Sequence, residues 1–218
     1  MNYTSVIFDL DGTLCDTMPD IHSSVNAMLR RRGYPERSFE HTTQGLNRGS
    51  RFLISHALPE GACDAEIDAA LALYMSIYGD HLCDQTVPYD GITQLLSDLL
   101  RLGITLAILS NKPDAFVARL SEQLFPGAFR LTVGQGAYPV KPSPEAPLAI
   151  AQKLGVAPES ILFVGDSDVD IITAHNAGMT AVGVTWGYRD RSVLVSAGAD
   201  YIVDTPSDIY SIISNKKF

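Results

Sequence analysis

Apolar positions along the chain follow two rhythms, and the change between them divides it. The opening run Thr4-Ser5-Val6-Ile7-Phe8 is short, β-branched and aromatic, the pattern of a buried strand. Helical spacing then takes over. Ile21, Val25, Met28 and Leu29 recur on one helix face behind Pro19, which suits a first helical turn. Arg30-Arg31-Arg32-Gly33 closes that segment with basic residues and a glycine stop, and reads as a solvated helix end. Phe52, Leu53 and Ala57 mark a second helix after the loop Gly45-Leu46-Asn47-Arg48-Gly49-Ser50. A third runs from Asp64 through Ile67, Leu71, Tyr74, Ile77 and Tyr78. No strand-like alternation interrupts residues 16–84.

From Val87 onward strands and helices alternate. Pro88-Tyr89-Asp90-Gly91 is a turn, and Ile92, Leu95, Leu96, Leu99 and Leu100 mark a helix stopped by Gly103. Strands are predicted at residues 104–109, 129–133, 161–164, 180–184 and 201–203. Helices are predicted at 116–124, 144–154 and 171–177. This βαβα order implies a parallel sheet covered on both faces, an α/β doubly wound fold. The helices between residues 16 and 84 form a separate bundle inserted after the first strand. The expected organisation is a discontinuous core of residues 1–15 and 85–218, with 16–84 as a small helical domain.

Composition narrows the class. The chain has 218 residues, 46% of them hydrophobic, ample for a buried core. A net charge of −9 argues against nucleic acid or an anionic membrane as partner, so any anion site has to be locally positive. There is no signal-peptide pattern and no apolar stretch long enough to span a bilayer. Cys15, Cys63 and Cys83 are scattered without metal spacing, and read as reduced thiols in a cytoplasmic protein.

The candidate chemistry sits where predicted strands end. The first strand finishes in Asp9 and Asp11, followed by Gly12 and Thr13. Like charges this close repel, so a proton or a shared cation is required. Glycine lets the backbone turn with its N–H groups facing an anion. The plain alternative is a solvated strand-end turn. Ser110-Asn111-Lys112-Pro113 follows the next strand and reads as a capped helix start, where a phosphate finds N–H donors. Lys141 stands between Val140 and Pro142, an ordinary surface lysine on its own. Gly165-Asp166-Ser167-Asp168-Val169-Asp170 puts three acids at a helix start, where simple capping explains them. Yet ligands of open α/β sheets bind beyond the carboxyl ends of the strands, where all these segments lie.

Together the segments carry a resemblance. FDLDGTLCDT resembles the signature of the haloacid dehalogenase superfamily of phosphatases. SNKP, VKPSPE and VGDSDVD resemble its other three motifs, in order and across essentially the whole chain. The resemblance implies a Rossmann-like core with a helical cap inserted after the first strand. It implies Asp9 as nucleophile and Asp11 as general acid and base. Ser110 hydrogen-bonds the phosphoryl group, Lys141 bridges Asp9 and the phosphate, and Gly12, Thr13, Asn111 and Lys112 bound the substrate. It implies Mg²⁺ held by Asp9, Asp166 and the Asp11 carbonyl, with Asp170 holding a metal-bound water or the loop. Asp168 is left as a cap or surface acid.

SNKP with the opening FDLDGTLCDTMPDI looks most like the phosphoglycolate phosphatase branch. Arg48 is the residue of the inserted helices expected to meet a substrate carboxylate. Cys15 and Asp16 are placed at the hinge, and Trp186-Gly187-Tyr188 at the rim. Dehalogenation is disfavoured because those relatives lack an acid at the place of Asp11. The alternatives are a sugar-phosphate or nucleotide phosphatase, a pyrophosphatase, a phosphosugar mutase on the same core, and a non-catalytic binding module. The expected partner is a small phosphorylated metabolite, and the expected state a monomer or homodimer.

Overall fold

In the computed structural model, which describes residues 3–214, the first apolar run forms β1 (Ser5–Phe8) in the middle of a sheet. Every residue of β1 is buried, because both of its faces are covered. On one side β1 pairs with β4 (Thr105–Pro113), which pairs with β5 (Leu131–Gln135). On the other lie β6 (Ile161–Gly165), β7 (Thr180–Val184) and β8 (Tyr201–Val203). All five pairings are parallel, and the order is β5-β4-β1-β6-β7-β8. Strand periodicity sorts the core into two layers. Val6, Phe8, Leu106, Ile108, Leu162 and Val164 face α5 (Ile92–Arg101), α6 (Asp114–Leu124) and α10 (Pro206–Ser214). Ile7, Ala107, Leu109, Ile161 and Phe163 face α7 (Glu145–Leu154), α8 (Asp168–Asn176) and α9 (Arg191–Ser196).

The chain leaves β1 toward β4 and β5, then returns past it to β6. The switch in direction therefore falls beside β1, and the crevice beyond its carboxyl end is the natural ligand position. Before it gets there the chain makes a two-stranded antiparallel stem, β2 (Cys15–Asp16) against β3 (Val87–Pro88). Between the stem strands lie α1 (Met18–Arg31), α2 (Phe39–Gln44), α3 (Ser50–Ala57) and α4 (Asp64–Asp80). Their apolar faces meet one another and the sheet layer through Val25, Leu29, Leu53, Tyr74 and Tyr78. Helix α2 has no apolar stripe to reveal it; its start is held by Ser38, whose hydroxyl accepts from the His41 N–H. The two-residue stem is too short for any periodic signal.

One expected element is different. Residues 110–113 do not open a helix; they continue β4, and α6 begins at Asp114 with Pro113 just before it. Pairing with β5 is regular up to Leu109–Val133, then shifts register before Pro113–Gln135. Ser110, Asn111 and Lys112 sit in that irregularity. Such a bulge bends the strand and re-aims its side chains, which a helix cap would not do.

Asp20 is structural where the sequence offers no sign of it. It is buried in the first turn of α1, and its carboxylate accepts from the N–H of Gln85, the N–H of Thr86 and the Thr86 hydroxyl, at 2.8–3.0 Å. It thereby ties the outgoing helix to the segment that returns to the sheet. Asp20→Ala would strand the two buried donors of Thr86 and remove the partner of the partly buried Gln85 N–H, at an expected cost of about 3 kcal/mol. For a chain of this size that is a fall in Tm of roughly 6–12 °C, readable by calorimetry. An unchanged Tm would refute the tie.

Among the described residues no helix is long and apolar enough to cross a membrane. The three cysteines are free.

Candidate active site

Two strand ends bring two carboxyl groups together. Asp9 follows β1, and its N–H donates to the Val164 carbonyl at 2.9 Å, so the ladder with β6 continues up to the site. Asp166 follows β6 directly. Both side chains are buried. The approach is so close that side chains are excluded from two neighbouring backbone positions. A Cβ on Gly12, whose φ is +86°, would lie 2.4 Å from Asp166 Oδ2. A Cβ on Gly187 would lie 2.2 Å from Asp166 Cβ and 2.4 Å from the Gly12 carbonyl.

Lys141 completes the group from the loop ahead of α7. Asn111 clamps its backbone: the Lys141 N–H donates to Asn111 Oδ1 at 2.8 Å, and Asn111 Nδ2 donates to the Lys141 carbonyl at 3.1 Å. The ammonium then donates to Asp9 Oδ1 at 2.7 Å and to Asp170 Oδ1 at 2.6 Å. Asp170 is fixed from its other oxygen, which accepts from the Ser167 N–H and hydroxyl at the start of α8. So Asp170 braces both the lysine and the helix-entry loop.

The electrostatics are strained without a further positive charge. Burial pushes the Asp9 carboxyl up to about 7; Lys141 pulls it down, while Asp170 and Asp11 add to the rise. Burial also drives Asp166 well above the usual carboxylate range, with Asp170 and Asp9 reinforcing it. Burial works against the charge of Lys141, but Asp170 and Asp9 overcome it and hold the ammonium above its usual range. Carboxylate oxygens of Asp9, Asp166 and Asp170 lie within 4.8 Å of one another. Asp166 Oδ2 accepts from the Tyr188 N–H at 2.7 Å, whereas Asp166 Oδ1 is buried with no partner. An orphaned buried oxygen among crowded acids fits a hard divalent cation, which binds oxygen ligands and offsets their repulsion.

Asp11 lies on the solvent side of this group. Its Oδ1 accepts from Thr17 Oγ1 at 2.6 Å and forms an ion pair with Lys112 Nζ at 2.8 Å. The Lys112 ammonium rests 4.8 Å from the Tyr78 ring centroid. Ser110 is buried below, its hydroxyl accepting from the Lys112 N–H at 3.2 Å. Thr13 is buried with its hydroxyl unpartnered. Above these groups is a cavity of about 40 Å³. Asp9, Asp11, Asn111, Lys112 and Lys141 line it from the sheet side; Asn47, Gly49, Ser50, Leu53, Tyr74 and Tyr78 line it from the inserted helices.

Arg48 is not brought to the cavity. It is exposed, and its guanidinium lies over the Phe52 ring at 5.2 Å on the outer side of the loop. Its neighbour Asn47 faces inward instead, at φ +73°, a turn residue that tolerates this backbone. Three other residues matter that no local pattern reveals. Thr17 holds Asp11, and Tyr78 carries Lys112 on its ring. Tyr188 accepts from the Thr17 and Met18 N–H groups and donates to Asp16 Oδ1, joining the Asp166 loop to the start of α1. The run Trp186-Gly187-Tyr188, placed at the rim from sequence, is half-buried beside Asp166, and Trp186 Nε1 donates to the Thr13 carbonyl.

Comparison with known proteins identifies similar chains. The family model of haloacid dehalogenase-like hydrolases matches residues 6–184. Phosphoglycolate phosphatase 1 of Pseudomonas aeruginosa is 36% identical over 211 residues, covering 94% of this chain and 77% of that protein. A phosphoglycolate phosphatase of Chromobacterium violaceum is 34% identical over 218 residues, covering 97% and 96%. A crystal structure from Lactobacillus delbrueckii subsp. bulgaricus, described as a candidate phosphoglycolate phosphatase, superposes with a TM-score of 0.91 at 30% identity and covers 98% of this chain and 99% of its own.

Proposed function

The chain belongs to the haloacid dehalogenase-like hydrolase family, and from that premise we propose that it is a Mg²⁺-dependent phosphatase acting on 2-phosphoglycolate. The observation that carries the chemistry is Asp9. Its carboxylate is buried, held 2.7 Å from the Lys141 ammonium and set beside the partnerless oxygen of Asp166. Asp9 and Asp166, with the Asp11 carbonyl that the motif resemblance names, would hold Mg²⁺, while Asp170 stays engaged by Lys141 and Ser167. When bound there, Mg²⁺ supplies positive charge to the phosphoryl oxygens.

Two steps follow. An Asp9 oxygen attacks phosphorus, the P–O bond to glycolate breaks, and Asp11 gives its proton to the departing alkoxide. A water then gives a proton to Asp11 and attacks the aspartyl-phosphate, releasing inorganic phosphate and restoring Asp9. Positioned proton transfer supplies roughly 10²–10⁴-fold, against the up to ~10²¹-fold that monoester hydrolysis requires. Asp11 is therefore a minor part of the barrier reduction. Electrostatic stabilisation by Lys141 and the N–H groups after Asp11, together with positioning, carries the larger share.

The inserted helices act as a cap in this reading. Asn47, Leu53, Tyr74 and Tyr78 of the inserted segment stand over the cavity lined by Asp9, Asp11 and Lys141. A swing of these helices about the stem of Cys15–Asp16 and Val87–Pro88 would open and close the site. The acidic chain, at −9, is suited to a freely diffusing metabolite in the cytoplasm rather than to nucleic acid.

The test is phosphate release from 2-phosphoglycolate, sugar phosphates, nucleotides and pyrophosphate, each with Mg²⁺ and with chelator. The highest kcat/KM is expected for 2-phosphoglycolate, and chelator should abolish it. Preference for a sugar phosphate would remove the substrate; metal-independent release would remove the mechanism.

Metal and pH should also be linked. In metal-free protein the folded state raises Asp9 from 3.8 to about 7. A raised value stabilises the fold fully below 3.8, and that contribution is lost as pH rises through about 7. Mg²⁺ requires the ionised carboxylates, so the Tm gain from Mg²⁺ over chelator should grow between about pH 5 and 8. A gain independent of pH would contradict this.

A further inference from the structure

We infer that Lys112 and Asn47 form the subsite for the carboxylate of the substrate, and so set the preference for an ester that carries a second anion. The inference rests on the phosphoglycolate reading and adds the residues that would enforce it. Two cations line the cavity. Lys141 is committed to Asp9 and Asp170, at 2.7 and 2.6 Å. Lys112 has a single carboxylate partner among the described residues, Asp11 at 2.8 Å, and its other near neighbour is the face of the Tyr78 ring. Tyr78 is itself 1% exposed and its hydroxyl has no hydrogen-bond partner. Asn47 lines the same cavity; its side-chain amide nitrogen is shielded from solvent and also unpartnered. Asn111 Nδ2 donates to the Asn47 carbonyl at 2.8 Å, which ties the loop carrying Asn47 to the residue next to Lys112, and both residues line the one cavity.

Connectivity of the substrate places its carboxylate there. The ester oxygen has to meet the Asp11 carboxyl to receive a proton. In a glycolyl ester the carboxylate carbon is two bonds from that oxygen. A cation in contact with Asp11 is therefore within reach of the carboxylate, and shares its charge between the two. Arg48, turned outward over Phe52, is not.

The experiment compares kcat/KM for 2-phosphoglycolate and for 2-hydroxyethyl phosphate, which has the same ester link with a hydroxymethyl group in place of the carboxylate. Lys112→Met keeps the stem on Tyr78 and removes the charge. Losing Lys112 also affects Asp11, but that loss is common to both substrates and cancels in the ratio. The ratio should fall roughly 30-fold or more, the scale of removing one partner of a buried charge pair. Asn47→Asp preserves the backbone conformation and puts an anion in place of the donor, so it should lower the ratio as well. A ratio that survives Lys112→Met while both activities fall together would overturn the inference, leaving Lys112 as support for Asp11 alone. A ratio that survives Asn47→Asp would remove Asn47. In either case wild-type turnover of 2-phosphoglycolate shows that the substrate reading still stands. If the wild type hydrolyses only the hydroxyethyl ester, that reading fails and takes the inference with it.

Discussion

Asp9→Asn is expected to end turnover, with kcat down by roughly 10⁴–10⁶-fold, the scale seen when a nucleophile is removed from a concerted site. The carboxamide has nearly the volume of the carboxylate but no free anionic oxygen to bond to phosphorus. Neither the covalent intermediate nor its hydrolysis is then available. The fold should survive. Burial pushes the Asp9 carboxyl up to about 7, and Asp170 and Asp11 add to the rise, so a neutral group there removes a charge that its surroundings disfavour. Lys141 keeps Asp170 as its partner at 2.6 Å. In chelator the variant's Tm should equal or exceed that of the wild type, while the Tm gain from Mg²⁺ shrinks. A burst of phosphate followed by steady release from this variant would contradict the assignment of the nucleophile.

Lys141→Met is expected to damage both function and fold. The ammonium is the buried counter-charge for two carboxylates, and the methionine leaves both unpaired. Breaking a buried ion pair by removing one partner costs about 3–5 kcal/mol. For a chain of this size that is a fall in Tm of roughly 6–20 °C. In the proposed mechanism the ammonium also offsets charge on the phosphoryl oxygens, so its loss should lower kcat a further 10²–10³-fold or so among molecules that remain folded. The two effects separate on adding Asp170→Asn. The second change removes one of the stranded charges, so part of the Tm should return, a coupling that distant sites would not show. Activity should not return with it. A Tm indifferent to Lys141→Met would mean that the ammonium is not the centre of this network.

How much of this was legible beforehand depends on how local each feature is. The strands beside β1 are continuous apolar runs because both faces are covered, and that pattern is written within each segment. The helices with apolar stripes were legible for the same reason. Helix α2 and the stem were not, since neither has enough residues to establish a period. Residues 110–113 misled because a serine and a proline after a strand look like a helix cap. The bulge that they form depends on where β5 pairs, and β5 is a separate segment. Helix α10 carried a signal that was missed: Pro206 at its start, with Ile209 and Ile213 one turn apart on its buried face.

The site divides in the same way. Asp9 and Asp11 stood out because paired acids ending a buried strand require a proton or a cation, whereas Lys141 and Asp166 have ordinary local readings and stood out through the motifs around them. The partners that complete them did not. Thr17 under Asp11, Tyr78 under Lys112, Asp20 on Gln85 and Thr86, and Tyr188 on Thr17 are pairings between elements. Nothing in either partner's own neighbourhood encodes them. Arg48 and Asn47 are adjacent, and the bidentate chemistry of a guanidinium favoured the arginine; in the fold Asn47, at φ +73°, lines the cavity and the Arg48 guanidinium lies outside it over Phe52. The sequence alone therefore determined the α/β sheet, the run of inserted helices and the chemical types gathered for phosphoryl transfer, because period and motif act over a few residues. Only the tertiary structure decided which carboxylate each lysine serves and which residue of the inserted segment faces the cavity, because those depend on the packing of segments far apart in the chain.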